Sequence, residues 1–114
     1  MNAEELRGAA RRWMAEDPDG ETRAELEALL ASGDDAALED RFGSALAFGT
    51  AGLRGVMGAG PNRMNRAVVL RTTAAVARHL KATVPDAALR GVVVGYDGRR
   101  GSRVFSEDVA RALA

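Results

Sequence analysis

The sequence predicts an α/β protein: a mixed or parallel sheet with flanking helices over residues 43–114, preceded by an N-terminal helical segment over residues 1–42. Three observations carry that expectation. Apolar residues recur at helical spacing through the first 42 positions. Residues 47–65 then lose both the helical and the strand period and fill with glycine. Further on, GVVVG at 91–95 is a short continuous apolar run, the pattern of a strand buried on both faces. With a strand near Leu46, the order strand, Gly-rich loop, helix, strand, polar loop, helix is a βαβα pattern with right-handed crossovers. Ligands of such folds gather beyond the carboxyl ends of the strands, where the loops 49–63 and 95–103 would both lie.

Each element has a local reason. Asn2 with Glu5 three residues later forms a capping box for a helix carrying Leu6, Ala10, Trp13 and Met14 on one stripe. Pro18, Asp19 and Gly20 end it. Thr22 with Glu25 predicts a second capping box, Leu26, Leu29 and Leu30 the stripe, and Gly33 the stop. A short third helix is expected over 36–42. Asn65 is placed to cap a helix running to about Val84, with Val69, Thr73, Val76 and Leu80 on one face, closed by Pro85 and Asp86. Ser102 or Ser106 is expected to cap a last helix still running at Ala114. With that helix unstopped and only about two strands, the sheet reads as incomplete and the chain as a truncated domain.

Composition narrows the function classes. The chain is 46% hydrophobic and 28% charged, enough to bury a core. Without cysteine there is no disulfide, thiolate metal site or cysteine nucleophile, and a cytoplasmic location fits. No apolar run approaches a membrane span of about 20 residues, and the N-terminus has no signal-peptide core. The formal net charge is zero. That zero conceals 12 acidic and five basic side chains in residues 1–42, against four acidic and 11 basic in residues 43–114. Fifteen of the 16 basic residues are arginine, a compositional bias, so each arginine singled out must be supported by its neighbours.

The glycines at 49, 52, 55, 58 and 60 let backbone N–H groups approach a ligand closely, and Arg54 and Arg63 add fixed cations suited to phosphate. No G-K-[ST] closes the loop, so it is not a Walker A motif, and the dinucleotide spacing is absent too. On the residues alone it is a phosphate cradle or a tight structural loop. The second loop sets Asp97 beside Arg99 and Arg100 just past the expected strand, either as a bracing pair or as a strand-exit turn. His79, the one histidine, has no partner ligand and reads as structural; Met57 and Met64 read as packing.

The run FGTAGLRGVMGAGPNRMN at 48–65 is more specific than its glycine content. It resembles the N-terminal domain of the α-D-phosphohexomutase superfamily, in particular its phosphoglucomutase/phosphopentomutase branch. GYDGRRGSRVF at 95–105 is similar to that family's second element, and Trp13, Asp17-Pro18 and Leu38 to Phe42 resemble the branch's helical lead-in. The resemblance implies a segment of an intramolecular phosphotransferase, an isomerase that moves a phosphoryl group between the 1-position and the terminal hydroxyl of an aldose phosphate. A phosphoserine and a sugar bisphosphate mediate the exchange, with Mg²⁺ held by aspartates of a D-G-D-x-D-R loop. It also implies that Arg54 faces the transferring group and is catalytic, and that Thr50 and Gly52 form the turn that aims it. Asp97 and Arg99 are implied to brace the same cleft, where Arg63, on the reading of the residues, is expected to bind phosphate.

Three family elements are not among these residues: the T-A-S-H-N-P phosphoserine sequence, the D-G-D metal loop and the G-E-x-S-G sugar-selecting loop. The Mg²⁺ ligands are therefore not in this chain, glucose and pentose phosphates both stand as substrates, and the polypeptide alone is expected to be inactive. Its partners would be a phosphosugar and the remaining domains of the enzyme, without nucleic acid or membrane. The alternatives are a non-catalytic phosphate-binding or regulatory module, and a small RNA-binding protein. The latter lacks the aromatic residues that base stacking needs, at 4% of the chain.

Overall fold

Side-chain caps set the first helices. The computed structural model describes all 114 residues, Met1–Ala114, and forms two compact units, Met1–Val68 and Val69–Ala114. In the first unit, α1 (Ala3–Glu16) starts where the Asn2 side chain accepts the Glu5 N–H at 2.8 Å. Helix α2 (Gly20–Ser32) begins two residues before the expected cap, because Asp19 accepts the Glu21 N–H at 2.9 Å. Thr22 is buried instead, its hydroxyl donating to the Asp17 carboxylate at 2.5 Å. Gly33 stops α2 in the left-handed conformation at φ +69°, and the Asp34 N–H reaches back to the Leu29 carbonyl at 3.2 Å. Helix α3 (Asp35–Phe42) is capped by Asp34 through the Ala37 N–H at 3.0 Å.

These helices enclose a core of Leu6, Ala10, Trp13, Leu26, Leu38 and Phe42, joined by Ala59, Ala67 and Val68 from later in the chain. Trp13 and Phe42 meet edge to face with ring centroids 6.0 Å apart, the favoured aromatic geometry. The Arg7 guanidinium donates to both carboxylate oxygens of Asp35 at 2.9 and 3.0 Å, tying α1 to α3. The strand expected near Leu46 is absent. Leu46 packs partly buried against the core, and its N–H donates to the Pro61 carbonyl at 3.0 Å. The sheet that does form is a two-stranded antiparallel hairpin, β1 (Phe48–Gly49) with β2 (Gly52–Leu53), inside the Gly-rich segment itself.

Helix α4 (Arg66–Thr83) starts as the sequence predicts, with the Asn65 side chain accepting the Val68 N–H at 2.9 Å. Its first turn supplies core residues Ala67 and Val68 to the first unit. In the second unit, Pro85 and Asp86 give way to one short turn, α5 (Ala87–Arg90). The run 91–95 is not a strand here: it pairs with nothing, and Val93 is 98% exposed. A strand is a property of a ladder, and this segment has no neighbouring strand to complete one. Helix α6 (Ser102–Leu113) is preceded by Gly101 at φ +81° with no side-chain cap. The expected serine cap fails because Ser102 Oγ accepts the Asp97 N–H at 3.0 Å, while Ser106 donates to the Arg103 carbonyl. Leu80, Val92, Val94 and Leu113 border an open apolar groove within this unit. The molecule is thus helix-rich with a small antiparallel sheet, and no helix is long and apolar enough to cross a membrane.

Candidate functional site

The Gly-rich segment folds as a hairpin followed by a docked loop. Phe48 pairs with Leu53 and Gly49 with Gly52, leaving Thr50 and Ala51 as a two-residue turn. Neither turn residue has a positive φ; Gly52, at the turn's exit, supplies one at +87°, a conformation glycine adopts without penalty. Strand alternation then separates the next two side chains. Leu53 packs against the core and Arg54 stands exposed, with no ion pair to a carboxylate among the described residues. Thr50 is exposed on the same turn.

The docked loop follows directly. The Met64 N–H donates to the Val56 carbonyl at 2.7 Å and the Gly58 N–H to the Met64 carbonyl at 3.2 Å, closing residues 56–64 on themselves. Asn65, 3% exposed, fills the interior: its amide nitrogen donates to the carbonyls of Gly58 and Gly60, each at 2.8 Å, while its oxygen caps α4. Gly60 is required twice over. Its φ is +98°, and a Cβ there would lie 2.9 Å from the Arg41 carbonyl oxygen.

Helices α2 and α3 hold this loop by polar contacts. Glu25 Oε2 accepts from Arg41 Nε at 2.8 Å and from the Ala59 N–H at 3.0 Å. The Asn62 N–H donates to the Arg41 carbonyl at 3.1 Å, and the Asn62 side chain to the Asp40 carbonyl at 2.9 Å. Arg63, implied by the sequence as a phosphate ligand, is 89% covered; it pairs with the Asp40 carboxylate and donates to the Asp40 carbonyl at 3.2 Å. Sequence reasoning missed Glu25, Arg41 and Asp40 as loop-holding residues. Glu25 looked like half of a capping box, and nothing in its local pattern signals partners 16 and 34 residues away.

Asp97 and Arg99 lie on an exposed loop of the second unit, where they do come together. Arg99 Nε donates to Asp97 Oδ2 at 2.8 Å, and the Arg99 N–H to Oδ1 at 3.0 Å. Those two bonds, the guanidinium first, hold the Asp97 carboxyl at about 2, below its ordinary 3.8. The pairing in turn raises the Arg99 guanidinium. No group of three or more His, Asp or Glu side chains converges on one point.

The family description "Phosphoglucomutase/phosphomannomutase, alpha/beta/alpha domain I" matches residues 45–114. A "Probable phosphoribomutase" of Schizosaccharomyces pombe is 40% identical over 94 residues, 82% of this chain and 16% of its own length. Phosphopentomutase of Mus musculus is 39% identical over 87 residues, 76% of this chain and 14% of its own. Glucose 1,6-bisphosphate synthase of Homo sapiens is 38% identical over 112 residues, 96% of this chain and 18% of its own. The chain thus spans less than a fifth of the length of each of these relatives. No solved structure matches it.

Proposed function

The chain belongs to the phosphoglucomutase/phosphomannomutase family, and on that premise we propose that it is the domain I segment of a phosphosugar mutase whose Arg54 stabilises the transferring phosphoryl group. The observation that carries the reading is the hairpin. Gly52 turns the chain, Leu53 anchors it in the core, and Arg54 is left exposed on a fixed backbone. Phosphoryl transfer asks mainly for positioning and for stabilising charge spread over the equatorial oxygens. A guanidinium on a rigid base, with five planar donors, supplies both.

In this reading a phosphoserine elsewhere in the enzyme gives its phosphoryl group to the free hydroxyl of an aldose phosphate. The sugar oxygen bonds to phosphorus as the serine oxygen–phosphorus bond breaks, the hydroxyl proton passes to the departing serine oxygen, and a sugar bisphosphate forms. The bisphosphate reorients and returns its other phosphoryl group to the serine. Thr50 and Gly52 shape the turn that aims Arg54, and Asp97 orients Arg99 towards the sugar phosphate. Arg63 then serves through Asp40, by holding the loop's return, rather than by presenting its own cation to phosphate. Mg²⁺ neutralises charge on the phosphoryl group when bound; its ligands belong to the remainder of the protein.

The domain division that goes with this reading is a helical lead-in over 1–42 and domain I from 43 onwards. The run 91–95 becomes a strand of a mixed or parallel sheet once the rest of the domain is present. A cysteine-free metabolic enzyme of this kind suits the cytoplasm.

The test is an assay of the intact protein that carries this chain, with glucose 1-phosphate and ribose 1-phosphate in turn, each with Mg²⁺ and its sugar bisphosphate. Interconversion of the 1-phosphate and terminal phosphate is expected, and residues 1–114 alone should show none. Absence of turnover on any aldose phosphate, with phosphosugar binding retained, would replace the mutase by a non-catalytic binding module.

A further inference from the structure

The strongly acidic first 42 residues have no assigned role in the chemistry, yet two carboxylates among them reach the Gly-rich loop, Asp40 through the Arg63 side chain and Glu25 through a buried backbone amide. Glu25 is the only side chain of α2 hydrogen-bonded to that loop, and a single oxygen, Oε2, serves both Arg41 Nε and the Ala59 N–H. Ala59 is fully buried at the centre of the loop, and its neighbour Gly60 lies too close to the Arg41 carbonyl to bear a side chain. Arg41 is itself fixed, its Nη1 donating to the Ala37 carbonyl at 3.0 Å and its carbonyl accepting from Asn62. From Ala59 the chain of contacts runs through Gly58 and Met64 to the Val56 carbonyl, two residues beyond Arg54.

We propose that Glu25 is a positioning residue: together with Arg41 it locks the loop 56–64 onto the helical lead-in and thereby sets where the Arg54 guanidinium stands. Glu25 touches neither substrate nor reacting atoms; it acts through Ala59 and the loop. Its carboxylate is partly shielded, with a side-chain exposure of 32%, and it carries two donors on one oxygen. Charge and length therefore both matter. Glutamine keeps an acceptor for the Ala59 N–H but loses the ion pair with Arg41; alanine loses both. The kinetic half of this inference rests on the mutase reading, whereas the hold on the loop rests on the geometry alone.

The experiment compares Glu25→Gln, Glu25→Ala and the exposed control Glu27→Gln in the intact protein, by amide hydrogen exchange and by steady-state kinetics. Expected are exchange across 56–64 that quickens from wild type to Gln to Ala, with the helix 3–16 unchanged, and a control like wild type. In parallel kcat should fall by about 10- to 100-fold in Glu25→Ala with KM altered less than about twofold, as displacement of a charge-stabilising group requires. Glu25→Gln should fall between the two. Unchanged exchange in the loop overturns the proposal, and so does a loosened loop with unchanged kcat. Should Glu25→Ala unfold, Glu25→Gln decides by the same two readouts. If the unaltered protein turns over no phosphosugar, the mutase reading fails by itself, and the exchange pattern alone supports or overturns the hold of Glu25 on the loop.

Discussion

Arg54 and Asp97 are both exposed and charged, but the structure treats them differently. Arg54 is presented bare at the end of a hairpin whose preceding residue is anchored in the core. Replacing it by alanine should therefore lower kcat of the intact enzyme by about 100- to 1000-fold, the range for losing one fixed donor to a developing charge. The melting temperature should barely move, since surface substitutions of this kind stay within about 0.5 kcal/mol. Equal losses of stability and activity would make Arg54 a structural residue. Asp97, by contrast, is occupied by Arg99, which keeps its carboxyl at about 2. Because the folded value lies below the ordinary 3.8, whatever the pair adds to stability is complete above that value and is lost as pH falls through about 2. The pair is fully exposed, so the observable is titration rather than melting: the Asp97 carboxyl should titrate near 2 by NMR, and Arg99→Ala should return it towards 3.8. An unmoved midpoint would show that the loop backbone, not the guanidinium, sets it.

At the scale of elements, Asn65 joins two structures with one side chain, the loop 56–64 and the start of α4. Asn65→Ala removes the cap and the amide donor to the carbonyls of Gly58 and Gly60, of which Gly60 keeps the Arg63 N–H, so denaturant unfolding should show a loss of about 2–4 kcal/mol. Asn65→Asp keeps the cap but turns an acceptor against those carbonyls; it should be no better than alanine. Gly60→Ala should cost about 1–3 kcal/mol, because it needs a left-handed backbone and meets the Arg41 carbonyl. A value near zero for either site would mean that the loop re-forms without its packing. These same elements show what the sequence makes legible. The caps at Asn2 and Asn65 and the stop at Gly33 are local chemistry, readable from four or five residues, and they hold. Thr22 and Glu25 fit the same local pattern but are used otherwise: Asp17 takes the hydroxyl, and Arg41 and Ala59 take the carboxylate. Their partners are set by the fold of the unit, which a local pattern does not encode. The FGTAGLRG motif marked a turn at Thr50 and Gly52 but not the strand pair around it, and the residues that hold the following loop carry no motif.

For the whole molecule, the even charge balance separates into two different arrangements. In the first unit, carboxylates of the acidic lead-in are spent on internal arginines, Asp35 on Arg7, Glu25 on Arg41 and Asp40 on Arg63, so the excess negative charge has in part a structural use. In the second unit the unusual feature is apolar: Val92, Val93 and Val94 are 53%, 98% and 37% exposed along an unpaired extended segment. Such a run is costly in water, and an unpaired edge invites pairing with another chain. In the proposed fold this run becomes a strand covered on both faces. Val93→Lys separates the two states. In residues 1–114 alone, where Val93 is open to solvent, the substitution should leave stability within about 0.5 kcal/mol and reduce self-association. In the intact protein the same lysine would enter a strand covered on both faces, and burying its ammonium should cost at least about 2 kcal/mol. Hydrogen exchange should agree, with the amides of 92–94 nearly unprotected in the short chain and strongly protected in the intact protein. A lysine tolerated equally well in both would remove the 91–95 strand, and with it the parallel or mixed sheet, from this reading of the fold.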